Sequence, residues 1–121
     1  MAPREWLGWT ELGDLLWFRG EYEAAREAYT RSAAVAPEGV TLPRDNLIGV
    51  DVSLGNFDEA IEAAEGLQRP IESANLASNI GTAYYFSDRP DRMARAEEYY
   101  RMAVRIEQPP IGLLNGVRDE L

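Results

Sequence analysis

Glu11 and Asp14 stand three residues apart and, in a helix, would share one face. Paired carboxylates of this kind can do acid–base work. With 21 acidic residues in 121, such pairs arise by chance, and the other requirements of catalysis are missing. The chain has no histidine, the usual general base, and no cysteine to supply a thiolate or a disulfide. It also lacks a glycine-rich phosphate loop and a nucleophile with a base beside it. No enzymatic activity, metal or cofactor is expected. The better-equipped groups are amides. Asn46, Asn75 and Asn79 each offer a donor and an acceptor, which is what the backbone of an extended peptide needs. Glu11, Asp14 and Asp45 would favour a basic partner. Thr82 is a small polar neighbour, and Trp17, Phe18, Tyr85 and Phe86 could form an apolar shelf of the kind that anchors interfaces.

Bulk composition narrows the partner class. All 12 basic residues are arginine, and the net charge is −9. A basic surface is what phosphate backbones require, so nucleic acid and anionic membranes are disfavoured. Met1-Ala2-Pro3-Arg4-Glu5 has no apolar run of the kind that opens a signal peptide. No stretch approaches the roughly 20 apolar residues of a membrane span. The terminal Arg118-Asp119-Glu120-Leu121 is taken as a chance match to a retention signal. A cytoplasmic protein is expected.

Positioning falls to helices. Leu7, Glu11, Asp14 and Phe18 recur at four, three and four, and Trp9, Leu12 and Leu16 mark a second face. Gly20-Glu21-Tyr22 reads as a turn, and a second helix follows from about Tyr22 to Ala36, with Glu27 four residues before Arg31 as a surface ion pair. Ala25, Tyr29 and Ser32 lie on its inner side, and Pro37 stops it. A shift of 35 residues maps Leu12, Gly20, Tyr22 and Ala25 onto Leu47, Gly55, Phe57 and Ala60. Three departures accompany that second copy: Ile48 for Gly13, Asp51 for an aromatic, and Ala64 for Tyr29. Its first helix, after Pro43, is expected to be short, and its second to reach about Gln68. A shift of 68 maps Leu12-Gly13 onto Ile80-Gly81, and one of 71 maps Ala25 and Tyr29 onto Ala96 and Tyr100. About three extra residues therefore lie in Ser87–Arg92, where an exposed turn tolerates them cheaply.

The Leu-Gly pair, the small alanines, the aromatics and the closing proline at this period resemble the tetratricopeptide repeat. The resemblance covers about residues 3–108 and implies an all-α fold: an α-solenoid of three antiparallel helix-turn-helix units. Repeat 1 spans about 3–37, repeat 2 about 41–70 and repeat 3 about 71–108. Ile111, Leu114, Val117 and Leu121 suggest a C-terminal capping helix over 110–121, because each repeat of a solenoid buries its face only against a neighbour. The resemblance further implies that the first helix of every repeat lines a concave groove holding a protein or peptide segment. Glu11, Asp14, Trp17, Phe18, Asp45, Asn46, Asn75, Asn79, Thr82, Tyr85 and Phe86 would line it. The family's best-known subtype grips a ligand carboxylate, but of the corresponding Thr10, Asp14, Asn46, Asn75 and Asn79 only Asn46 suits that role, and Asp14 would repel the ligand. A self-assembling scaffold is the other expectation, a homo-oligomer formed through the solenoid ends, either the N-terminal side around Trp6 and Trp9 or the short C-terminal cap. The acids Asp58, Glu59, Glu62 and Glu65 read as a solvated face, and the late arginines as surface ion pairs.

Overall fold

A computed structural model describes residues 4–107, all of whose regular structure is helical. Six helices follow in order: α1 Glu5–Phe18, α2 Tyr22–Val35, α3 Leu42–Leu54, α4 Phe57–Glu65, α5 Ala74–Tyr85 and α6 Arg92–Glu107. They pair as α1/α2, α3/α4 and α5/α6, and α3 also packs on α1, α2 and α5. The expected all-α array of three hairpins is present. The expected capping helix over 110–121 lies outside the described residues.

The first two hairpins turn through left-handed glycines, Gly20 at φ 79° and Gly55 at φ 81°. A side chain at either would force a disfavoured backbone. Gly55 closes α3 by donating to the carbonyls of Asp51 and Val52. The third connection, Phe86–Asp91, holds the extra residues foreseen from the spacing. Ser73 begins α5 by accepting the Leu76 N–H at 3.2 Å.

Two expectations about the middle hairpin need correction. Helix α3 is not short: it has 13 residues, between the 14 of α1 and the 12 of α5. Pro43 sits within its first turn, where a missing N–H breaks no bond, so the proline starts the helix without trimming it. Helix α4 is the short one. It ends at Glu65 because Gly66 follows, and does not reach Gln68.

Each hairpin has one tight crossing. In the first, a Cβ on Gly13 would meet the Tyr29 ring at 2.6 Å, and in the third a Cβ on Gly81 would meet the Tyr100 ring at 3.0 Å. The middle hairpin reverses the sizes. Ile48 and Ala64 stand at these two positions, and both belong to the core. The two departures from the repeat pattern thus compensate, keeping side-chain volume across the crossing roughly constant. Above the first crossing, Ser32 donates to the Trp6 carbonyl, so Thr10 must donate to Ser32 at 2.7 Å. Both hydroxyls are buried and satisfied.

Neighbouring hairpins meet through two cores. Ala25 and Tyr29 of the first pack with Val50 of α3, while Ile48, Ile61, Leu76, Ile80 and Tyr84 join the second and third. Buried Asp51 is the polar exception at the first junction. Its carboxylate accepts the Arg26 Nε–H at 2.7 Å and the Asn56 amide at 3.2 Å, so the acid that replaces an aromatic ties α2 to α3. The outer faces are as expected. Arg31 meets Glu27 at 3.1 Å, Arg95 meets Asp91 at 3.3 Å, and Arg101 meets Glu97 at 2.8 Å.

Two measurements check this packing. Gly13→Ala should destabilise the fold by about 1–3 kcal/mol, because Tyr29 cannot retreat from a filled core. Gly8→Ala, where nothing lies within 4 Å, should stabilise it by about 0.5–1 kcal/mol through helix propensity; urea midpoints read both. Tyr29 donates its hydroxyl to Asp14. Burial, then that hydrogen bond and the carboxylate's charge, push its pKa far above the ordinary 10.0. The folded phenol holds its proton where the unfolded one loses it, so this contribution to stability is complete below pH 10 and is lost as pH climbs beyond. An absorbance titration should show a late-ionising tyrosine that disappears in Tyr29→Phe.

Candidate functional site

The first helices α1, α3 and α5 stand side by side, and a cavity of about 470 Å³ opens along them. Trp17 of α1, Asp45 and Asn46 of α3, and Asn75 and Asn79 of α5 line it. Helical spacing explains the grouping. Asn75 and Asn79 are one turn apart on α5, and Asn46 stands in α3 at the place of Asn79 in α5. Leu42, Ser73, Leu76 and Ser78 complete the lining. None of these four was among the residues expected to line the groove, and Ser73 precedes the first helical residue of α5. Ser73 reaches the cavity as the N-cap of α5.

Trp17 owes its position to Gly49. A Cβ on Gly49 would collide with the Trp17 ring and with the Asn79 amide. The missing side chain lets the indole lie across α3, where its Nε1–H donates to Ser53 Oγ at 3.1 Å. The ring also meets Tyr29 edge-on, centroids 6.1 Å apart. Trp17 is therefore both a wall of the cavity and a brace between the first two hairpins.

The carboxylates are less free than their sequence positions suggest. Asp45 is ion-paired to Arg69, which reaches in from the segment between α4 and α5. Burial nevertheless raises the Asp45 pKa, outweighing the lowering by Arg69. Asp14 accepts from Tyr29 and, at 3.4 Å, from the Asn46 amide. Glu11 is exposed and forms no ion pair among the described residues. The negative charge open to a ligand on this side thus centres on α1.

The aromatics fall into two groups. Trp17 and Phe18 border a hollow with Asp14 and Tyr22 at the first turn. Phe86 stacks on Phe57, centroids 5.5 Å apart, and meets Tyr85 edge-on at 4.9 Å. Tyr85 also carries the Arg92 guanidinium over its ring and lines a separate hollow on α6. Thr82 is bonded to the Tyr100 hydroxyl at 2.8 Å. Val52 and Ser53 of α3 occupy the repeat positions between the two groups, and neither is aromatic.

Among the described residues no cluster of three or more metal-ligating side chains occurs, and no helix is long and apolar enough to cross a membrane. A family model for the tetratricopeptide repeat matches residues 8–38, which contain most of the first hairpin, with its Gly13–Tyr29 crossing. No curated protein matches the chain. The matched hairpin is followed by two more that pack in series with equivalent crossings, and on these grounds the chain is a tetratricopeptide-repeat type of protein, an all-helical repeat array.

Proposed function

We propose that this protein is a non-catalytic adaptor that holds an extended segment of a protein partner in the cavity along α1, α3 and α5. Tetratricopeptide repeats generally mediate protein–protein interaction, and that much follows from the family. The observation that carries the finer reading is the set of three asparagines around one cavity, Asn46, Asn75 and Asn79, facing the Trp17 wall. Amides grouped along a trough can satisfy both the N–H and the C=O of a peptide lying in it. The apolar wall favours a bulky side chain on the peptide. Exposed Glu11 and the net charge of −9 favour a basic residue where the peptide passes α1, and they add speed to the encounter. A cytoplasmic location is consistent with this role.

A second reading is a scaffold that self-associates through its N-terminal side. Leu12 is 41% and Leu15 is 51% exposed, although Ile80 and Ala83, their counterparts in α5, are fully buried. Sedimentation across a wide concentration range decides this reading, and a strict monomer at the highest concentration removes it.

For the adaptor reading, peptides selected from a random library on the wild-type protein should quench or shift Trp17 emission. They should bind at least about tenfold more weakly to Asn79→Ala, as loss of a buried hydrogen-bonding partner implies. Glu59→Gln, on α4 and outside this cavity, should leave affinity unchanged. Selected peptides whose affinity is indifferent to Asn79→Ala and Asn46→Ala would remove the groove assignment.

A further inference from the structure

Among the described residues, Asp45 is the one ionisable side chain lining the trough. It also borders a second hollow, of about 590 Å³, that opens between α2, α3 and α4 and is lined by Arg69, Leu47, Ile48 and Ala63. The carboxylate therefore stands in the partition between the two. Arg69 borders only the second hollow, so its guanidinium meets Asp45 from behind and not from the trough. Its Nη2 donates to Asp45 Oδ1, and Oδ2 accepts from no group among the described residues.

The segment between α4 and α5 holds that contact in place. Burial alternates along it: Leu67, Arg69 and Ile71 are partly buried, whereas Gln68, Pro70 and Glu72 are exposed. Leu67 and Ile71 pack against the second core, so the arginine midway between them is anchored on both sides. Pro70 narrows its own backbone and that of Arg69 before it. The Arg69 side chain is 30% exposed and that of Asp45 17%, so solvent screens this pair far less than the α6 pair of Arg101 and Glu97. The other hairpins are neutral at the same repeat position. Thr10 of α1 stands there, bonded to Ser32 of its own hairpin, and Ser78 stands there in α5. The middle hairpin has an acid instead and an arginine behind it.

We propose that Arg69 is a specificity-determining residue of the trough: a built-in counterion that keeps the subsite over α3 electrically neutral, so that a bound segment presents an uncharged side chain there. On the adaptor reading, on which this rests, a lysine or arginine laid over α3 would find the Asp45 charge already matched. It would lose its own hydration without gaining an equal partner. An aspartate or glutamate would meet Asp45 first, with Arg69 behind it, and be repelled. The cation of a basic segment is thereby confined to α1, where Glu11 is exposed and forms no ion pair among the described residues. A charge read at α1 and a neutral residue read at α3 together set the register in which the segment lies.

The test repeats the random-peptide selection on the full chain as wild type, Arg69→Gln, Asp45→Asn and the double variant, and follows the peptides whose binding Asn79→Ala weakens. Peptides selected on Arg69→Gln should carry an added lysine or arginine, and should bind the wild type and the double variant at least about tenfold more weakly. Asp45→Asn leaves Arg69 without its counterion, and its peptides should carry an added aspartate or glutamate. That arm stands even where Arg69→Gln loosens the fold, which urea midpoints read. Arg69→Lys, which keeps the charge, should return the wild-type selection. Unchanged selection in both single variants overturns the role of Arg69 and leaves the groove in place. So does a wild-type selection already rich in cations whose affinity falls about tenfold with Asp45→Asn, because Asp45 would then be open to the ligand. An absence of peptides weakened by Asn79→Ala removes the groove, and the role of Arg69 with it.

Discussion

The close approach of two helices at one crossing per hairpin is the constraint on which the rest of this structure depends. At that point the backbones are near enough that the two facing side chains share a fixed volume. Gly13 with Tyr29 and Gly81 with Tyr100 divide it as nothing and ring, and Ile48 with Ala64 divide it more evenly. A crossing that held two large residues would splay its hairpin and tilt the next one, because α3 contacts both the hairpin before it and the hairpin after. Packed interiors do not absorb such changes gradually.

The cavity along the first helices is a product of the same geometry. Second helices do the packing on one side, so the first helices are left to share an open trough. The acids in and beside it are partly occupied from within: Asp45 by Arg69, and Asp14 by Tyr29 and Asn46. Neutral amides and hydroxyls form most of its polar lining. On the proposed reading, such a surface would recognise the backbone of a ligand more than its charge, and discrimination would fall to the pocket beside Trp17 and to the carboxylates of α1.

Much of the fold was legible in the sequence because repetition does what a single motif cannot. Gly20 and Gly55 mark the turns, and the three-residue excess after Ser87 marks the longer third connection, since spacing records insertions directly. The size exchange at Ile48 and Ala64 was visible only as two separate oddities. Each looked like a lapse until the helices brought them opposite one another. The length of α3 was misjudged because Pro43 was given the weight of a helix breaker, whereas within the first turn it has no bond to break. At the site, the asparagines could be grouped from helical period alone. The pairing of Asp45 with Arg69 could not, because it joins a helix to an irregular segment 24 residues away with no period to follow. Phe86 could not be assigned either, because its partner Phe57 begins α4 on the far side of a turn.

Trp17 braces the first two hairpins and walls the cavity with the same ring. The two roles are mechanically inseparable. A guest that swings the indole away from Ser53 also loosens its seat on Gly49, and with it the pitch at which the second hairpin follows the first. On the proposed reading, occupancy of the trough and the pitch between hairpins would therefore move together, because a single ring is lever for one and hinge pin for the other.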